Sequence, residues 1–237
     1  MSDFWLLIAW GLATLSVAGV SVIIGRRFGL DYVVATMAGM LVVSNILAVK
    51  LVVVWHYTVP AGVLPFAATF LLTDLIAEKW GRAQAQRTIW TAFYTSLIVL
   101  VPITIAVHWR EAFPSDLFDS FDDVLGLAPR IVLASFTAYL ISQHHDVIAF
   151  HFWRRLTKGR FLWLRNNAST VVSQFIDTVI FITIAFAGRS DVPPLMSLIV
   201  GQYVVKIIIA ALDTPLMYLI SYVMDRIPDK ALAETRG

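Results

Sequence analysis

Asp74 and Glu78 stand four residues apart, Ser142-Gln143-x-x-Asp146 is echoed by Ser173-Gln174-x-x-Asp177, and Gln202 precedes Lys206 by one helical turn. These groups fall in stretches otherwise rich in Leu, Ile, Val, Ala and Phe. Residues three or four apart share a helix face, so each set reads as a polar stripe. The stripe ending at Asp146 also takes in Ser135 and Tyr139; the one ending at Asp177 takes in Asn167 and Thr170; Gln202 and Lys206 continue to Asp213. An amide beside a carboxylate both donates to and accepts from a heterocycle edge that carries N–H and C=O groups. This is binding chemistry. The nucleophile elbow, the phosphate-binding glycine loop, the dinucleotide fingerprint and the His-Glu-x-x-His zinc spacing do not occur. His144, His145, Asp146 and His151 match no zinc spacing either, and no cofactor is implied. With no cysteine in the chain, thiolate catalysis and disulfides are excluded.

The elements that carry these stripes are set by composition. The 237 residues are 59% hydrophobic and 14% charged, with a mean hydropathy of +0.77. A soluble domain is nearer ~25% charged, so lipid is the expected solvent. A helix crosses the hydrocarbon core with about 20 mostly apolar residues. The expected architecture is an all-α polytopic bundle of seven transmembrane helices, at 4–24, 32–54, 60–78, 88–109, 131–149, 168–187 and 194–224. Asp213-Thr214-Pro215 is expected to kink the last one. The chain then forms a single transmembrane domain over 1–237. Basic residues set its orientation. With the N-terminus outside, thirteen lysines and arginines lie in inner segments and three in outer ones, and the long outer loop is acidic. The expectation is N-out and C-in.

Ionisable groups at membrane depth need a partner, a water-filled cavity or a function. Lys50 is expected to snorkel to the headgroups. Asp177 and Lys206 sit near mid-membrane by residue count, as a ligand-binding pair or a structural ion pair. Glu78 either serves the site or ends its helix beside Lys79, and Asp213 either serves the site or satisfies backbone freed at Pro215.

The run Phe70-Leu71-Leu72-Thr73-Asp74-Leu75-Ile76-Ala77-Glu78-Lys79-Trp80-Gly81, with Arg87, resembles the signature of the queuosine precursor transporter family, also called vitamin-uptake-transporter-like. Ser44-Asn45, Ala134-Ser135-Phe136 through Asp146, Gln174 through Asp177-Thr178 and Gln202-Tyr203 with Lys206 extend the resemblance across residues 32–225. That region corresponds to a six-helix core, which makes 4–24 an extra N-terminal helix. The resemblance implies a non-enzymatic protein of the bacterial inner membrane, in contact with lipid but not directly with nucleic acid. It also implies uptake of 7-cyano-7-deazaguanine or its 7-aminomethyl relative for tRNA modification. Whether the chain forms a homo-oligomer stays open, as do a substrate-capture subunit of an energy-coupling-factor importer and an intramembrane enzyme.

For such a substrate, Asp177 or Asp74 is expected to accept from the guanidine-like edge, and Lys206, Asn45, Gln174 or Gln202 to donate to the carbonyl. Tyr139, Phe175 or Tyr203 would stack on the ring. Glu78, Gln143 and Asp146 complete the expected binding set.

Overall fold

The computed structural model describes residues 3–156 and 162–226. It is 81% helical. The helices are α1 (Asp3–Phe28), α2 (Asp31–Leu47), α3 (Val63–Trp80), α4 (Arg82–His108), α5 (Asp116–Leu125), α6 (Ala128–Leu156), α7 (Leu162–Phe186) and α8 (Leu195–Asp225). Ile8–Phe28, Arg82–His108 and Asp116–Ser142 are long and apolar enough to cross a membrane. Asp31–Leu47, Val171–Phe186 and Leu195–Ala211 are shorter apolar helices.

Each stretch expected to span contains one helix, of which, among the described residues, three reach spanning length and composition, and the junction of the second and third differs from expectation. Helix α2 stops at Leu47, and β1 (Leu51–Val54) and β2 (Tyr57–Pro60) form an antiparallel hairpin before α3 begins at Val63. Val54 pairs with Tyr57, leaving Trp55-His56 as a two-residue turn with Trp55 in the left-handed region at φ 55°. The physical reason lies in Val52-Val53-Val54. A β-branched run gains more from a pleated surface than from a helix, and the ladder satisfies the backbone groups that the broken helix frees. Lys50 precedes β1 and is exposed, and its carbonyl accepts from Ala61 N–H at 2.8 Å.

The acidic loop expected to lie outside also differs, because α5 occupies its centre. Ser115 caps this helix by accepting from Leu117 N–H at 3.3 Å, and Asp116 and Asp119 favour the positive end of its dipole.

Helices α1 to α4 pack into one apolar cluster around Leu71, Leu72, Leu75 and Ile76, joined by Tyr139 of α6 and by Ile220 and Met224 of α8. A second cluster joins α6, α7 and α8 around Ile131, Ile182, Phe186 and Leu198. A third wedges the hairpin between α3 and α8 through Val54, Val59, Val63 and Val205. Outside these cores, Leu97, Ile98, Val101 and Ile105 of α4 are exposed. An apolar stripe of this length suits a lipid-facing surface. Gly81 alone connects α3 to α4, at φ 90°, a conformation that glycine adopts without steric penalty. The side chains of Asp213 and Pro215 lie outside the described residues.

Candidate functional site

The polar stripes of α7 and α8 converge with the end of α2 and the start of α3 on one cavity. It contains about 360 Å³ of empty space, part of it open to the exterior. Asn45, Gly62, Phe66, Asp177, Gln202 and Lys206 are among its lining residues. Two close approaches build it. A Cβ on Gly62 would lie 2.1 Å from the Ser44 carbonyl oxygen, so glycine lets α3 start directly against α2. Ser44 Oγ fastens that junction by donating to the Gly62 carbonyl at 2.7 Å. A Cβ on Gly201 would lie 2.8 Å from the Thr58 carbonyl oxygen. Helix α8 therefore lies tightly on β2, with Gln202 and Lys206 beside the cavity.

Asp177 and Lys206 form a buried ion pair, with 5% and 4% of their side chains exposed. Ser142 Oγ donates to the other carboxylate oxygen at 3.4 Å. The ammonium also lies 5.2 Å from the Phe66 ring centroid, within reach of the ring's negative face. A carboxylate offers about four lone-pair positions, so Asp177 keeps acceptor capacity towards the cavity. Gln202 is 3% exposed and Asn45 4% exposed. Asn45 Nδ2 has no hydrogen-bond partner among the described residues. A buried unpaired amide nitrogen is unfavourable; that atom is shut off, while the residue itself lines the cavity. The cavity thus presents a carboxylate, an ammonium and two amides beside aromatic rings, a set suited to a flat molecule with N–H and C=O groups on its edge.

The structure therefore brings together Asn45, Asp177, Gln202 and Lys206. Tyr139 stands apart in a second cavity with Thr69, Thr73, Phe93 and Phe66. Its ring packs on Phe93 with centroids 4.8 Å apart. Phe66 lines both cavities. Gln174 lines neither, although its Oε1 is buried without a partner among the described residues. Asp74 and Glu78 are exposed, which differs from the interior placement expected of them. Helix α3 buries Leu71, Leu72, Leu75 and Ile76, and that face turns the two carboxylates outward. The side chains of Gln143 and Asp146 lie outside the described residues. Phe175 and Tyr203 pack edge-on against each other at 5.3 Å, and the rings that line the first cavity are Phe66 and Phe181 instead.

Sequence reasoning missed Gly62, Phe66 and Phe181. Gly62 carried a signal, a glycine placed directly before an apolar helix. The two phenylalanines resemble any core residue.

Residues 60–220 match the family described as "Putative vitamin uptake transporter". The chain is 32% identical over 179 residues to a "Probable queuosine precursor transporter" of Bacillus subtilis (strain 168), covering 75% of this chain and 78% of that one. It is 29% identical over 178 residues to the "Queuosine precursor transporter" of Escherichia coli (strain K12), covering 72% and 76%. A "Probable queuosine precursor transporter" of Haemophilus influenzae is 31% identical over 133 residues, covering 55% and 53%. No solved structure matches. With that match spanning more than half of its residues, the chain belongs to the family described as "Putative vitamin uptake transporter".

Proposed function

We propose that this protein takes up queuosine precursors across the bacterial inner membrane, as a multi-pass transporter and not an enzyme. The observation that carries this reading is the buried Asp177–Lys206 pair on a cavity with Asn45 and Gln202, in a chain whose relatives are named for this transport. A 7-deazaguanine presents N1–H and an exocyclic amine, which the free acceptor capacity of Asp177 suits, as carboxylates suit base amines elsewhere. Its carbonyl takes donors from Lys206 or Gln202, and Phe66 or Phe181 faces the ring. Both 7-cyano-7-deazaguanine and 7-aminomethyl-7-deazaguanine belong to this class.

In this reading residues 1–237 form one transmembrane domain of seven spans, N-out and C-in, with 4–24 added to a six-helix core over 32–225. The excess of basic residues on one set of loops supports the orientation.

The test is queuosine content of tRNA in a bacterium that cannot make its own precursor, supplied with low external precursor, with and without this chain. Queuosine should appear only with the chain present. Equal queuosine in both strains would overturn the reading.

A further inference from the structure

Helix α5 has two faces of opposite character. Leu117, Phe121 and Val124 recur at i, i+4 and i+7 and are all exposed, Leu117 by 72%. Asp116, Asp119 and Asp123 recur at i, i+3 and i+7 on the other side and are also exposed. The flank between the two faces is half-buried, and there Phe118 packs on the Phe113 ring with centroids 5.3 Å apart. Among the described residues, the protein thus packs one flank of α5 and leaves the apolar strip uncovered.

What covers the strip follows from where α5 sits. A Cβ on Gly126, just past α5, would lie 3.8 Å from Val107 in the last turn of α4. Helix α6 begins at Ala128, and its Arg130 reaches the Ile184 and Ala187 carbonyls where α7 finishes. Helix α5 therefore lies at the end of the bundle where α4 and α7 stop. The exposed apolar face of α4 runs through Ile98, Val101 and Ile105 to Trp109 at i, i+3, i+7 and i+11, and tryptophan suits headgroup level. The strip of α5 continues that lipid-facing surface. Four carboxylates in the ten residues of α5 keep the helix itself from entering the hydrocarbon end-on. Lying along the boundary satisfies both faces, with the strip in the acyl region and the aspartates in water. Residues 111–126 hold five carboxylates and no basic side chain, so attraction to anionic headgroups contributes nothing. The surface that fits is zwitterionic.

We propose that α5 is an interfacial helix, which lays Leu117, Phe121 and Val124 into the headgroup–acyl boundary of a zwitterionic lipid surface. It anchors the connection between α4 and α6 on the bilayer instead of leaving it in water. The inference goes beyond the precursor-transport reading and needs only that the chain spans a membrane.

The chain has no cysteine, so a single introduced cysteine takes a nitroxide label at one place only. The full-length variants Leu117→Cys, Phe121→Cys, Val124→Cys, Asp119→Cys and Asp123→Cys are labelled and reconstituted in phosphatidylcholine vesicles. All five sites are exposed, so the label displaces no packed side chain. Paramagnetic resonance then reads the collisions of each label with oxygen, which concentrates in lipid, and with a neutral nickel chelate, which stays in water. Labels at 117, 121 and 124 should meet oxygen more than nickel, roughly 5–10 Å into the boundary, and labels at 119 and 123 should show the reverse. Adding phosphatidylglycerol should make the three lipid-side labels shallower. Nickel access at all five sites would place the strip in water and overturn the proposal. Exclusion of both reagents from the strip would mean that protein, such as a second copy of this chain, covers it, and would overturn the proposal equally. Labels at unchanged or greater depth with phosphatidylglycerol would overturn the choice of headgroup. Precursor uptake is a separate measurement, so either reading can fail without the other.

Discussion

Neutralising Asp177 and Lys206 one at a time and then together separates a binding pair from a structural one. Each side chain keeps no more than 5% of its exposure, so removing one partner leaves the other charged and buried. Breaking such a pair costs about 3–5 kcal/mol, whereas replacing both partners by uncharged groups of similar shape is often close to neutral. Asp177→Asn and Lys206→Met should each lower membrane abundance and melting temperature, and the double variant should recover most of both. Phe66 tempers the effect at Lys206, since the ring beneath the ammonium packs equally well against a methionine side chain. Asp177→Asn is therefore the harsher single change, leaving an ammonium beside an uncharged amide.

Uptake should follow a different order. If the heterocycle edge donates to Asp177, losing a hydrogen bond to a charged group costs about 1.5–3 kcal/mol, roughly ten- to a hundredfold in affinity. Restoring stability in the double variant does not restore that bond. The assay is a four-way comparison of wild type, both singles and the double, scoring membrane abundance, melting temperature and precursor uptake. The expected result is a stable double variant that does not transport. A double variant with recovered uptake would refute the binding role and leave the pair as structural.

Arg130 donates through Nε to the Ile184 carbonyl at 2.7 Å and through its guanidinium to the Ala187 carbonyl, capping the end of α7. Arg130→Met should lower stability by about 1.5–3 kcal/mol, read as a lower melting temperature, with Arg130→Lys intermediate. Gly62→Ala should abolish uptake and destabilise by about 1–3 kcal/mol or more, because its Cβ would meet the Ser44 carbonyl oxygen at 2.1 Å; full activity in that variant would show that α2 and α3 are not held this close. On the α7–α8 loop, the hydrogen bond from Arg189 at 2.5 Å holds the Asp191 carboxyl below its usual range. A lowered carboxylate contributes stability above its ordinary value near 3.8, and loses it only as pH falls through the depressed one. Because Asp191 is exposed and exposed ion pairs contribute little, Asp191→Asn should leave uptake near neutral pH unchanged, and any loss of stability should be confined to pH values above the depressed one. Reporter fusions after Arg130 should read as external and those after Lys158 as cytoplasmic; the reverse would overturn the proposed orientation.

Asp177 and Lys206 were legible because charges are costly in long apolar runs, and only a few residue types reveal a buried site so directly. Asp74 and Glu78 carried the same signal, yet they lie exposed. Counting residues gives depth along a helix but not which face turns inward. That is set by Leu71, Leu72, Leu75 and Ile76, whose partners are distant in sequence. The hairpin was hidden for another reason. Leu51 to Val54 continues the apolar character of α2, and average hydropathy does not separate a short strand from the end of a helix. The pairing that decides it runs across the Trp55-His56 turn. Likewise Asn45 was visible as a polar residue, whereas the lack of a partner for its amide is a property of the assembled wall.

The hairpin and the site have a common cause. A helix continued from Asp31 up to Pro60 would pair its backbone internally over that length and place no helix end at the cavity. Breaking it exposes helix ends, and inside a membrane these are tolerated only where other protein groups satisfy them or a cavity receives them. The β1–β2 ladder satisfies the backbone between the two helices, and Ser44 ties the returning chain to Gly62. The start of α3 at Gly62 and Val63, and Asn45 at the end of α2, then line one cavity together with Asp177 and Lys206. The interruption of α2 and α3 is thus what turns two apolar helices into one side of a polar site.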